Sequence, residues 1–158
     1  MRDMIPPKQF ALIGMTTLLV AACTSAPVGS GTGTSGASTV SHGGPVQDLA
    51  SLIDHLSGNG FTVTPGESIS QPFFSVKGQQ TMVGTETIQI YEYANAQSME
   101  ADASKISPNG GSIGTSMMSW IGPPHFFKKG RILVLFIGSD RKTLDALTSA
   151  MRQQFAGR

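Results

Sequence analysis

The rhythm of apolar residues changes several times along this chain, and each change marks an element. From Phe10 to Ala22 the apolar residues are nearly continuous, and from Thr24 to Gly44 they almost vanish. From Val46 the pattern becomes periodic. Val46, Leu49, Leu52, Ile53 and Leu56 recur at helical spacing and predict a first helix, stopped by Gly58-Asn59-Gly60. Phe61 and Val63 alternate as a short strand before Pro65-Gly66. Phe73 to Val76 and Gln79 to Val83 flank Lys77-Gly78 and predict a hairpin. After Gly84-Thr85-Glu86 comes a strong strand, Thr87 to Tyr93, with Ile88 and Ile90 on one face and Tyr91 and Tyr93 on the other.

A second helix is predicted from an Asn95 cap, with Met99, Ala103 and Ile106 on one side. Pro108-Asn109-Gly110-Gly111 breaks it, and Met117 to Ile121 reads as a strand. Phe126-Phe127 and Arg131 to Ile137 flank a second basic turn, Lys128-Lys129-Gly130. Ile132 to Ile137 is apolar without alternation, the mark of a central strand covered on both sides or at both ends. A third helix starts at Asp140, with Leu144, Leu147, Met151 and Phe155 as its buried stripe. Strand runs joined by turns, with helices between them, predict a single small α+β domain over 46–158. It has an antiparallel sheet of about five strands and about three helices packed on it. Pro72-Phe73-Phe74 before Lys77-Gly78 and Pro124-His125-Phe126-Phe127 before Lys129-Gly130 echo one another; a duplicated half-domain or chance explains this equally well.

The segment before the domain supplies an address. Arg2 and Lys8 form a short basic region diluted by Asp3. The apolar stretch that follows matches a signal segment and is too short to span a bilayer. It ends in Leu19-Val20-Ala21-Ala22-Cys23, and Cys23 is the only cysteine of the chain. This run resembles the lipobox of bacterial lipoproteins. The resemblance implies a diacylglyceryl thioether on Cys23, removal of residues 1–22 as a signal peptide, and acylation of the new amino terminus. Two or more acyl chains anchor a protein stably, where one does not. Thr24 stands where an Asp tends to retain such proteins at an inner membrane, so it leans toward the outer membrane of a double-membrane cell. The expected location is therefore a cell or outer membrane, with the domain facing the periplasm or the exterior. Residues 23–45 would form a flexible Gly/Ser/Thr linker with an r.m.s. reach of roughly 25 Å and an extended limit of about 70 Å.

Charge and composition then narrow the classes. Without residues 1–22, the eleven basic and ten acidic residues become nine and nine. A neutral chain argues against a nucleic-acid partner. With Cys23 as its only thiol, the mature chain forms no internal disulfide and stands on its hydrophobic core. Gly31-Thr32-Gly33-Thr34-Ser35-Gly36 matches a dinucleotide-binding pattern by letters only, because no strand precedes it and no helix follows. Gly110 to Ser116 lacks the Lys-Ser/Thr ending of a phosphate loop.

The three histidines, His42, His55 and His125, are scattered, and no metal or other cofactor is expected. The strongest candidate partner surface is Trp120, His125, Lys128, Lys129 and Arg131, where rings, a histidine and cations gather around Pro123-Pro124. The competing reading puts the rings in the core and the lysines on a solvated turn. Arg141 and Lys142 could extend a basic patch toward an acidic partner or lipid headgroups. The expectation is a non-enzymatic, membrane-anchored domain that binds an envelope component, its oligomeric state open. The alternatives are a small hydrolase using His125 with a carboxylate and a hydroxyl, and a small-ligand binder with an apolar cavity.

Overall fold

A computed structural model describes residues 44–158. Cys23, the apolar stretch before it and nearly all of the linker lie outside the described residues. The elements run α1 (Leu49–Gly58), β1 (Val63–Ile69), β2 (Gly78–Val83), β3 (Glu86–Glu92), α2 (Ala96–Ala103), β4 (Ser112–Ile113), β5 (Ser116–Met117), β6 (Pro124–Lys129), β7 (Ile132–Ile137), α3 (Arg141–Met151) and β8 (Ala156–Gly157). Six strands form one sheet in the order β1-β2-β3-β7-β6-β8, every neighbouring pair antiparallel, and β4 and β5 make a separate small ladder. This is the α+β architecture that the apolar pattern predicts, with one more strand in the main sheet.

The sheet is covered on both faces. One face carries Ile88, Ile90, Phe127, Val134 and Phe136 against Leu52 and Leu56 of α1 and Leu147, Ala150 and Met151 of α3. The other carries Tyr91, Tyr93, Phe126, Leu133 and Leu135 against Met99 and Ala103 of α2, with Phe74 and Ile113 from loops. Ile132 to Phe136 are all buried, as continuous apolarity in a central strand requires. Tyr91 and Tyr93 face away from Ile88 and Ile90, as the period of two demands.

Several boundaries differ from the sequence expectation. Helix α1 starts at Leu49 rather than Val46, because Asp48 accepts from the Ser51 amide at 3.0 Å and caps it. Val46 is buried all the same, in the approach to the cap. Strand β1 continues through Pro65-Gly66 to Ile69 with a register shift between Pro65 and Ser68. It is an edge strand, where a residue without an N–H is tolerated. Phe73 to Val76 are not a strand: β2 pairs with β1 and β3, and residues 70–77 form a loop folded over the tyrosine face. There Phe74 meets Tyr91 edge-on at 4.5 Å. Phe126 and Phe127, by contrast, lie within β6, so the two Pro-Phe-Phe segments have different structures. Of Met117 to Ile121, only Met117 is in a strand.

The β6–β7 turn has Gly130 at φ 57°, a left-handed position at which a Cβ would also lie 2.6 Å from the Gln47 Cα. Close approach of the entering chain thus requires glycine there, and Arg131 N donates to Gln47 O at 2.9 Å.

Phe155 is not part of the α3 stripe. The helix ends at Met151, and Arg152 takes φ 74° and ψ −148°, a region nearly reserved for glycine. The chain thereby crosses to the tyrosine face, where Phe155 N donates to Phe126 O at 3.0 Å and the ring packs on that side. Arg152→Gly is expected to raise stability by about 1 kcal/mol, since backbone strain of this kind costs on the order of 1–3 kcal/mol and glycine forgoes part of the gain through its unfolded-state entropy. The urea midpoint checks this: an unchanged or lower value would show that the turn is unstrained.

Candidate functional site

The segment between α2 and β6 carries no Asp, Glu, Lys or Arg from Ile106 to Phe127. It is nevertheless well ordered by its turns. Asn109 Oδ1 accepts from Ser107 Oγ at 3.0 Å and from Gly111 N at 2.9 Å, closing the Pro108–Gly111 turn. Gly110 sits at φ 67° with Phe126 and Pro124 each 3.1 Å from where a Cβ would be. Its carbonyl accepts from Trp120 Nε1 at 2.7 Å, and the indole meets the Phe126 ring edge-on at 5.9 Å. Ile113 is buried and bridges to Ile106, which seats the β4–β5 ladder on the tyrosine face. Pro123 O accepts from Gly138 N at 3.0 Å, and Arg158 N donates to Pro124 O at 2.9 Å.

Between these pieces lies a cleft of about 430 Å³, lined among others by Asn109, Met118, Trp120, Pro123, Pro124 and Arg158. Ile121, fully exposed, and Met117, 85% exposed, stand in the same segment, next in sequence to lining residues. They are the most exposed large apolar side chains of the described residues.

The five residues singled out from sequence do not assemble into one surface. Trp120 lines the cleft on the Phe126 side. His125 is buried on the opposite side, stacked on Phe136 at 6.0 Å. Its Nε2 lies 3.0 Å from Gly138 O and its Nδ1 2.6 Å from the Gln154 side-chain oxygen. The groups on the ring are thus an amide and a backbone carbonyl, where a hydrolase would need a carboxylate and a hydroxyl. Each cation of the turn has its own partner. Lys128 pairs with Glu100 and sits over the Phe155 ring at 4.8 Å. Lys129 donates to Ala150 O at 2.7 Å, a cation at the carbonyl end of α3. Arg131 lies 2.9 Å from Glu92 and 3.6 Å from Asp48. Lys128 and Lys129 face opposite sides because strand neighbours alternate. Arg141 and Lys142 open α3 at the other end of the sheet, with Lys142 over the Phe61 ring at 5.1 Å, so they do not extend that group.

A second cleft, about 440 Å³, lies beside Leu49, Ser68, Lys77, Ile90 and Glu92. Its carboxylate is already committed: Glu92 Oε1 accepts from Leu49 N at 3.3 Å and from Arg131. Among the described residues, no group of three or more His, Cys, Asp or Glu gathers to hold a metal, and no helix is long and apolar enough to cross a membrane.

Asn109 and Arg158 were not legible as site residues. One is a turn residue and the other the last residue of the chain, and only the pairing of β8 with β6 brings Arg158 beside Pro124. The long charge-free run from 106 to 127 was the available signal. No family model, curated protein or solved structure matches this chain.

Proposed function

We propose that this protein is a bacterial lipoprotein, held at a cell-envelope membrane by a lipid-modified Cys23, whose folded domain is a non-enzymatic binding module. The observation that carries the anchor is the placement of the only cysteine directly after Leu19-Val20-Ala21-Ala22, at the end of an apolar run. Thr24, in place of a retaining Asp, leans toward the outer membrane if the cell has two.

The described chain supports a simple division of labour. Residue 47 lies against the β6–β7 turn, so the linker enters the domain there. The cleft beside Trp120, Pro123 and Pro124 lies at the other end of β6. Six strand residues separate the two by about 20 Å. An anchor upstream of residue 44 leaves the cleft end free to turn away from the lipid and toward other envelope components.

Mass spectrometry of the mature amino terminus tests the anchor. The expected species begins at Cys23 and carries a diacylglyceryl thioether. Cys23→Ala is expected to move the protein from the membrane to the soluble fraction or to leave the signal uncut. A free Cys23 thiol on mature, membrane-bound protein would overturn the proposal.

A further inference from the structure

We infer that the Trp120 cleft is a binding site for an organic anion with an apolar body beside a carboxylate. This deepens the binding-module reading and is independent of the lipid anchor.

The two sides of the cleft differ in chemistry. Met118, Trp120, Pro123 and Pro124 supply an apolar wall. The wall is preformed: the indole is held by its bond to Gly110 O at 2.7 Å and by the Phe126 ring, and the two prolines are fixed by the bonds of Pro123 O and Pro124 O to Gly138 N and Arg158 N. Preformed walls reduce the ordering cost of binding. The polar side offers donors from Asn109 and Arg158. Asn109 commits its side-chain oxygen to Ser107 and Gly111, which leaves its amide nitrogen to donate. Arg158 also lines the cleft and carries a guanidinium beside its own carboxyl group, and no Asp or Glu of the described residues forms an ion pair with it. No acidic residue occurs from Ile106 to Phe127, so nothing in that segment repels a negative ligand. At about 430 Å³ the space suits a small molecule or a few residues of a peptide. A planar carboxylate matches the guanidinium fork, and an apolar group beside it would lie on the indole and proline faces.

The reporter is built in, because Trp120 is the only tryptophan of the chain. The full chain in phosphatidylcholine vesicles is titrated with N-acetyl-phenylalanine and with its uncharged amide, following tryptophan emission. The acid is expected to give a saturable change, and the amide to bind at least about tenfold more weakly, the size of a lost charge-assisted contact. Arg158→Gln should weaken the acid by a similar factor and leave the amide unchanged, with Arg158→Lys restoring part of the loss. Asn109→Asp keeps both turn bonds but replaces the donor with a negative charge, so it should abolish binding of the acid while the circular dichroism spectrum is retained. A peptide ending in the same phenylalanine carboxylate separates the sources: tighter binding than the free acid points to a peptide ligand, equal binding to a small molecule, and either supports the site. No saturable change, equal affinity for acid and amide, or an emission change that follows protein self-association instead of ligand would overturn it. The test does not depend on Cys23, so a failed anchor and a failed cleft give different results.

Discussion

Asp102→Ala is expected to destabilise the domain by about 2 kcal/mol, because it removes a buried carboxylate that accepts three hydrogen bonds, while its donors on Ser75 and Lys105 are exposed enough to turn to water. Asp102 is 2% exposed, although it is an acid at the end of a short helix. Its Oδ2 accepts from Ser75 N at 2.6 Å and Ser75 Oγ at 2.8 Å, and its Oδ1 from Lys105 Nζ at 2.6 Å. The carboxylate therefore ties the 70–77 loop to α2, and that loop carries Phe73, Phe74 and Val76 onto the tyrosine face. Without the tie, those rings lose their fixed position as well. Asp102→Asn, which keeps the shape and one acceptor, should lose about half as much. Urea denaturation of the three proteins measures both values. A loss below about 1 kcal/mol for the alanine variant would show that the loop is held by its apolar contacts alone.

The same group gives the domain an acid sensitivity with a definite sign. Burial pushes the Asp102 carboxyl up, but the hydrogen bonds from Lys105 and from the Ser75 amide and hydroxyl outweigh it, and the net shift is below the ordinary value of 3.8. A group whose folded value is depressed contributes stability above its unfolded value and loses it as pH falls through the folded one. Stability should thus be level in this term near neutral pH and decline below about pH 4. The neighbouring Tyr93 hydroxyl is pushed up, first by burial and then by the Asp102 charge, so it stays protonated throughout. In Asp102→Asn the acid decline should be shallower, which stability measured at several pH values would reveal.

Phe136→Ala is expected to have the larger effect, about 4 kcal/mol, with Phe136→Leu costing about 1 kcal/mol. Phe136 is fully buried in the central strand β7, within the cluster made by α1, α3 and the sheet. Its ring stacks on His125 and lies against the backbone of Gly138. Truncation leaves a cavity between two rigid layers that cannot close on it. Since small domains have only about 5–15 kcal/mol in total, the alanine variant should be marginal at 37 °C. Met82→Ala is the matched control: Met82 is 47% exposed on β2, and its loss should change stability by less than about 0.5 kcal/mol. Equal effects at the two positions would contradict the burial assigned to Phe136.

Where the sequence was legible, the signal was local. Asn95 and Asp140 cap α2 and α3 through bonds to residues three positions on, so the cap and its target share one turn of chain. Ile88, Ile90, Tyr91 and Tyr93 reveal their faces by parity. Phe73 to Val76 misled for the opposite reason. Their composition suits a strand, but Ser75 meets an acid 27 residues away, and that contact decides the backbone. Phe155 has the right spacing for the α3 stripe, yet the helix stops four residues earlier at a strained Arg152.

The candidate site divides in the same way. The residues around Pro123-Pro124 were recognisable as a mixture of rings and charges, and Trp120 does line the cleft. The histidine and the three cations were recognisable only as residue types. Their partners, Gln154, Glu100, Ala150 and Glu92, come from other elements, so their commitment to internal contacts was invisible in one dimension.

By itself, the sequence determined the α+β class, the central position of the Ile132–Ile137 strand, the starts of α2 and α3 and the faces of Ile88, Ile90, Tyr91 and Tyr93. Each of these follows from spacing and propensity within a few residues. The tertiary structure alone decided that the sheet is covered on both faces, that Asp102 holds a loop, that each cation of the basic turn has its own partner, and that Arg158 meets Asn109 and Trp120 at one cleft. Those outcomes depend on contacts between residues far apart in the chain, formed only when the core closes and polar groups must find partners within reach.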